Sequence, residues 1–399
     1  MQKRVKWITI AALVALPSAP RLAHAAGCDT LMNPVYVKGS SAVQPFIANM
    51  SIPLAAQATP VTLVYVNSGS CTGVDAIVNN TANTTDGVYF TPNPTAGMPP
   101  VSNTCTMPTG GVTVDIGVSD VFGQFCTGAA LPATVKDISG PGQAMCFVVP
   151  KASTQTALVA EEGYFVFGFP GNTGMAMPWL NDTFKFIRDM TSGTQGILAS
   201  SIGVPTQKVH GTTPNPNSNA GVLAGVMGST MPEGTIGLLA AAFYDQHRDT
   251  LTQLAFRAYK QYYAYFADSS PTSFDKRNVR DGHYLPFGYV HMLVRTDAQG
   301  NITDPKAQNF VKWVLGQQAL PGTSPPDILD VTISAHVIPL CAMTVQRSAE
   351  GGDLSLYQDP APCGCYFEFK ATGNAPASCT QCTTTCATGT CRHGYCEAR

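Results

Sequence analysis

The chain has 399 residues, of which 44% are hydrophobic and only 12% charged, with a net charge of −2; this is material for about two or three domains with real cores. Residues 1–25 hold four basic side chains (Lys3, Arg4, Lys6, Arg21) and no acidic one, so a chain starting near Ala26 goes from −2 to −6. That balance, with no Lys/Arg run beyond the N-terminus, argues against a nucleic-acid binder, which needs a basic face to displace counterions from phosphates.

Lys3, Arg4 and Lys6 precede an apolar run from Trp7 to Leu16, and Ala23-His24-Ala25 follows; this is the pattern of a signal peptide cleaved near Ala25. The run is about half the ~20 residues a membrane span needs. The expected location is therefore periplasmic or secreted, with the protein soluble or at most lipid-anchored. Thirteen cysteines fit an oxidising compartment, and an odd number leaves at least one unpaired, shared between chains or modified. Cys28, preceded by Ala25-Ala26-Gly27, is the candidate for lipid attachment; a disulfide to Cys71 is the alternative.

In chain order, Val35-Tyr36-Val37 predicts a strand ending at Gly39-Ser40-Ser41, and Ala42 to Gln57 a helix with Pro45 near its start. Val61 to Val66 predicts a second strand before the turn Asn67-Ser68-Gly69-Ser70, and Gly73 to Val78 a second helix. Residues 79–114, rich in Asn, Thr, Pro and Gly, read as a long inserted loop containing Cys105. Asp115 to Val118 is a strand ending at Ser119-Asp120, and Ala144 to Val149 a buried strand stopped by Pro150. Further on come a loop at Thr191 to Thr194, a helix over Gln195 to Ser200, a helix-like stretch from Gln246 to Phe266, a strand at Tyr289 to Val294 and an amphipathic helix at Pro305 to Gln318. The aromatic residues Phe256, Tyr259, Tyr262, Tyr263, Tyr265 and Phe266 are expected to pack that helix-like stretch. The recurring order of strand, polar loop and helix predicts an α/β fold with parallel strands, in which ligands collect at the carboxyl ends of strands.

After about residue 358 the composition changes, and residues 361–399 hold seven cysteines among small polar residues. Cys379-x-x-Cys382 and Cys363-x-Cys365 suit a zinc site by spacing, but export favours disulfides. Seven cannot all pair among themselves, so one bond to the body, at Cys341, is expected.

No phosphate loop, His-Glu-x-x-His or Gly-x-Ser-x-Gly occurs, and no enzyme signature survives. Four polar motifs stand out instead. They are Gly39-Ser40-Ser41-Ala42, Gly69-Ser70-Cys71-Thr72-Gly73, Asp115-Ile116-Gly117-Val118-Ser119-Asp120, and Arg188 with Thr191-Ser192-Gly193-Thr194. Singly, Ser and Thr before a helix are ordinary caps. Together, hydroxyls, helix N-termini and one Arg suit a small, desolvated oxyanion.

In this order the motifs resemble those of the periplasmic phosphate-binding proteins of ABC importers, within the type II periplasmic binding protein superfamily, over roughly residues 33–340. Asn217 to Leu238 is similar to the family's later second-lobe segment. The resemblance implies two α/β lobes closing on an anion in the cleft, with an ABC permease as partner, no cofactor and a monomeric protein. Carried over by position, Ser41, the backbone of Ala42, Ser70, Asp120, Arg188, Ser192, Gly193 and Thr194 contact the anion. The expected divisions are residues 26–149 for lobe 1, 150–287 for lobe 2, 288–357 for the return to lobe 1 and 358–399 for the cysteine-rich tail. The sequence departs from the family where Ala42 and Val43 lack a hydroxyl common there, at Cys71-Thr72, and in the insertion at 79–114. Within this reading Arg188 supplies the one full positive charge. Asp120, acceptor-only when ionised, demands a ligand that carries a proton, as hydrogen phosphate does and sulfate at neutral pH does not. The rival expectation is a secreted structural or adhesion protein that keeps the fold without an anion.

Overall fold

The structure, a computed structural model, describes residues 25–398; the expected signal peptide lies outside the described residues apart from Ala25. The strands that matter for the site are β1 (Pro34–Gly39), β2 (Thr62–Asn67), β3 (Gly87–Thr91), β4 (Val101–Thr106), β5 (Ile116–Ser119), β6 (Val135–Pro150), β7 (Ile236–Ala240) and β8 (Phe287–Arg295). The helices are α1 (Gln44–Ala55), α2 (Ser70–Val78), α3 (Gly123–Thr127), α4 (Gly193–Ser201), α5 (Asn219–Met227), α6 (Pro305–Val314), α7 (Ile328–Ser334) and α8 (Gly364–Thr372).

β1 is the centre of one half of the sheet. It pairs in parallel with β2 on one side, Val37 opposite Tyr65, and with β5 on the other, Val37 opposite Ile116. Each of these strands delivers its chain to a polar loop at the same carboxyl edge, as the sequence predicts. β8 runs antiparallel to both β5 and β6. β6 is long enough to serve both halves: its residues 135–144 pair with β8 and its residues 145–148 with β7. The two larger of the four apolar clusters among the described residues follow. One gathers Val35, Phe46, Ile47, Tyr65, Phe310 and Trp313; the other gathers Phe147, Phe167, Trp179, Leu198, Val222 and Leu238. Among the described residues no helix is long and apolar enough to cross a membrane.

Three expectations need correction. The stretch 79–114 is not a structureless loop: β3 and β4 form an antiparallel hairpin that extends the sheet beyond β2. Its polar composition hides a short alternation, with Phe90 buried between half-buried neighbours and Cys105 buried between exposed ones. Residues 246–266 do not form one helix. Leu251–Gln253 instead pairs with β6, and Ala255–Arg257 pairs in parallel with Ala157–Val159, so distant strands override a helix-like spacing. The aromatics there do not pack a helix either: Phe256 is buried, but Tyr262 is 94% exposed and Tyr263 72%.

The third correction concerns cysteines. Cys28 is buried and bonded to Cys105, not to Cys71, so its sulfur is not free for a lipid thioether. Cys71 pairs with Cys126. The tail is tied to the body by Cys341–Cys363, as expected, and closes on itself through Cys365–Cys379, Cys382–Cys391 and Cys386–Cys396. Cys382, Cys386 and Cys396 lie close together, but their sulfurs are consumed by these bonds. The unpaired thirteenth cysteine is Cys146, buried within β6. Nor is the tail a free-standing unit. The Tyr366 hydroxyl donates to Asp330 of α7 at 2.6 Å, and Arg280 pairs with Glu368 of α8 at 2.7 Å.

Cys71–Cys126 joins the start of α2 to α3, the two elements that flank the loops at Ser70 and Asp120. The bond closes 55 residues, a loop already shortened in the unfolded chain by Cys28–Cys105. Replacing both Cys71 and Cys126 with Ala should therefore cost on the order of 3 kcal/mol, read as a lower urea midpoint under non-reducing conditions.

Candidate functional site

β1 ends at Gly39 with φ +145, where a side chain would run into the Val118 carbonyl; the next residues can therefore tuck against the end of β5. Ser40 Oγ accepts from the Ala42 N–H at 3.1 Å, and its carbonyl accepts from the Tyr65 hydroxyl. Ser41 then points across to the other half of the molecule. Its Oγ accepts from Arg188 Nη1 at 2.8 Å, from the Asn219 N–H at 3.1 Å and from Asn219 Nδ2 at 2.9 Å.

The loop after β2 turns at Gly69, φ +97, and places Ser70 at the start of α2. Ser70 Oγ accepts from the N–H groups of Asp120 and Gly193, both at 3.1 Å, and donates to Asp120 Oδ2 at 3.4 Å. Asp120 follows the last residue of β5. On the opposing side, Asp189 Oδ1 accepts from the Thr191 N–H at 2.9 Å and hydroxyl at 2.6 Å, shaping the loop. Ser192 Oγ caps α4 by accepting from Gln195 N–H at 3.4 Å. The Cys71 N–H donates to the Thr191 carbonyl at 2.9 Å, so the two loops touch through backbone. A side chain at Gly193 would lie 2.5 Å from Ser70 Oγ and 2.8 Å from the Asp120 Cβ; only glycine allows this approach.

Ser41, Ala42, Ser70, Asp120, Arg188, Ser192, Gly193 and Thr194 are thus all buried and brought to one place from four loops. Their roles differ. Ala42 spends its N–H on Ser40 Oγ, whereas Ser192 Oγ accepts from Gln195 and keeps its O–H to donate. The sequence reading missed Asn217 and Asn219. Asn217 receives Arg188 Nε on its side-chain oxygen at 2.8 Å and Nη2 on its carbonyl at 2.9 Å. Asn219, fully buried, grips Ser41, donates to Thr194 Oγ1 at 3.4 Å and accepts from the Ala240 N–H at 2.8 Å. The available signal was the Pro216-Asn217-Ser218-Asn219 run, where Ser218 caps α5 by accepting from the Gly221 N–H.

The electrostatics follow from burial. Arg188 is 1% exposed, and desolvation pulls its guanidinium down to about 10, with Asp120 and Asp189 opposing. A guanidinium has five N–H groups. Three are used, which leaves one N–H on each terminal nitrogen. Asp120 is also 1% exposed, and burial pushes it up to about 6 against the pull of Ser40, Arg188, Thr194 and Ser70. Its Oδ2 accepts from Ser70 and from Thr194 Oγ1, both at 3.4 Å, while its Oδ1 is buried with no partner. No ion pair joins Asp120 to Arg188 among those of the described residues. The arrangement therefore offers unspent donors on one side and an unspent acceptor on the other, which suits a small polyoxygenated anion bearing a hydrogen.

No protein-family model matches the sequence, and no curated protein matches it either. Solved structures do match in fold. A putative phosphate ABC transporter substrate-binding protein from Clostridium perfringens, solved with phosphate bound, superposes with a TM-score of 0.51 at 12% identity, covering 77% of this chain and 99% of that one. An ABC-type phosphate transport receptor from Vibrio cholerae matches at 14% identity and a TM-score of 0.45, over 76% and 99%. A possible phosphate-binding protein from Planctomyces limnophilus matches at 15% and 0.43, over 78% and 94%. The first of these likenesses shows the fold: an α/β, two-lobe type II periplasmic binding protein architecture, here extended by a disulfide-bonded C-terminal tail.

A carboxyl raised by burial favours the folded state only while protonated. The Asp120 contribution is therefore fully present below its unfolded value near 4 and is lost as pH rises through about 6. Asp120→Asn removes this burden. Without added anion, the variant should gain stability relative to the parent as pH goes from about 4 to about 7. About 3 kcal/mol is the ceiling, from a shift of about two units, and urea unfolding at the two pH values measures it.

Proposed function

We propose that this protein is an extracytoplasmic solute-binding protein that captures inorganic phosphate between its lobes and delivers it to an ABC permease. In this reading Ser41, Ser70 and Asp120 belong to one lobe (residues 26–149 and 288–357) and Arg188 to Thr194 to the other (150–287). A signal peptide cleaved near Ala25 directs export. The disulfides fit an oxidising, extracytoplasmic location.

The observation that carries the proposal is the unpartnered Asp120 Oδ1 in a buried site whose only nearby full positive charge, Arg188, still has N–H groups to give. An anion with a hydrogen satisfies both: its oxygens take the Arg188 donors and the free O–H groups of Ser41 and Ser192, whose oxygens only accept within the protein, and its P–O–H donates to Asp120. Sulfate has no hydrogen at neutral pH, so it leaves an ionised acceptor facing an oxygen, at a cost of about 1–3 kcal/mol or more. Sites built on a ligand's own donor reject analogues lacking it by up to ~10⁴-fold or more. The likeness in fold to proteins named for phosphate binding supports the same ligand class.

Titration calorimetry with phosphate and with sulfate tests this. Phosphate should bind at micromolar Kd or tighter, and Arg188→Ala should abolish binding. If no oxyanion binds, the rival reading of a fold kept for a structural or adhesive role takes its place. Asp120→Asn, whose amide donates as well as accepts, should bring phosphate and sulfate to within about tenfold of each other in competition. Selectivity unchanged in that variant would remove Asp120 as the discriminating group.

A further inference from the structure

Behind the site runs a segment that the phosphate reading does not use. After α7 the chain passes along residues 345–354 and touches elements of both halves. The Arg347 N–H donates to the Tyr289 hydroxyl of β8 at 3.3 Å, and its Nη2 donates to the Leu285 carbonyl at 2.9 Å. Its guanidinium lies over the Phe287 ring, 4.1 Å from the centroid. Gly351 reaches α4, where a side chain would touch Ser200. Between these contacts sits Glu350, both of whose carboxylate oxygens are buried without a hydrogen-bond partner. The group faces the backbone N–H groups of Gly351 and Phe122 and feels the charge of Asp120. Phe122 is two residues from Asp120 and its ring packs at a tilt against His291, 4.4 Å between ring centres. That imidazole in turn meets Asp137 at 2.7 Å.

We propose that Glu350 is a positioning residue for the anion site: its carboxyl, set beside the Phe122 end of the loop that carries Asp120, on a segment that reaches α4 at Ser200, must be neutral when the anion is bound, and so ties anion affinity to pH from outside the cleft. The inference rests on the phosphate reading and deepens it. An ionised Glu350 adds a second negative charge behind Asp120, where Arg188 is the only guanidinium in the site, and the arriving anion adds more. Like charges in a desolvated region disfavour joint ionisation. The charged and titratable groups around Glu350 are Arg347 on its own segment, Tyr289 on β8 and Asp120, with the His291–Asp137 pair beyond Phe122. Burial outweighs the pull of Arg347 and lifts Glu350 to about 7 in the absence of anion, so the group changes state within the range where the protein would work.

The experiment compares phosphate affinity of Glu350→Gln with that of the parent at about pH 6 and about pH 8. The ligand's own ionisation cancels in the ratio at each pH. Gln is always neutral, so the variant should gain on the parent several-fold between the lower and the higher pH. Glu350→Asp, which keeps the charge, should retain the parent's pH dependence. A second neutral replacement, Glu350→Met, should follow Gln if charge is the cause; a gain seen with one neutral side chain and not the other overturns the proposal. So does a Gln-to-parent ratio that is the same at both pH values while phosphate binds. Loss of phosphate binding in the parent itself is a different result, and it removes the phosphate reading and this inference together.

Discussion

Arg188 and Asp120 are opposite charges, buried close enough to act on each other, that do not form an ion pair. Removing either from water costs several kcal/mol, and a direct bond between them would recover part of that cost. The structure holds them apart. Asn217 takes two of the guanidinium N–H groups and Ser41 a third, while Asp120 receives two long hydroxyl contacts from Ser70 and Thr194 with the Ser40 hydroxyl beside it. Both charges are left under-satisfied. Much of the surrounding structure exists to enforce that separation.

The enforcement is neutral and interlocking. Ser41 and Ser70 each stand on one side of the site and receive N–H donors from the other. Two hydroxyls therefore act as the pins on which the halves meet. Asn219 links Ser41, Thr194 and the end of β7 with a single side chain. Apart from the Arg188–Ser41 bond, these contacts are between uncharged groups, and each of those is worth only about 0.5–1.5 kcal/mol net. A buried ion pair between the halves would join them more firmly than these contacts do.

The disulfides work at a different level. Cys71–Cys126 holds the Ser70 and Asp120 loops together from below, Cys28–Cys105 fastens the chain start to the β3–β4 hairpin, and Cys341–Cys363 pins the tail. None bridges the two apolar cores across the site. The staples stiffen each side and leave the meeting of the sides to hydrogen bonds.

What could be read from the residues alone were features that depend on near neighbours. β1, β2 and β5 announce themselves as apolar runs ending in Gly, Ser or Asp, because a strand end and a helix N-terminus are local problems of turn geometry and orphan N–H groups. The four polar motifs were legible for the same reason, as was the export-compatible wealth of cysteine. The cysteine partners, the hairpin hidden in residues 79–114, the strands within 246–266 and the surroundings of Asn219 and Glu350 were not. Each is settled by contacts between segments tens to hundreds of residues apart: Asn219 meets Ser41 across 178 positions, and Glu350 meets the loop at Phe122 only after the chain has passed through both halves. Local sequence sets which backbone each segment prefers, whereas burial and charge at a given atom depend on which distant segment arrives beside it, and that was decided only by the assembled fold.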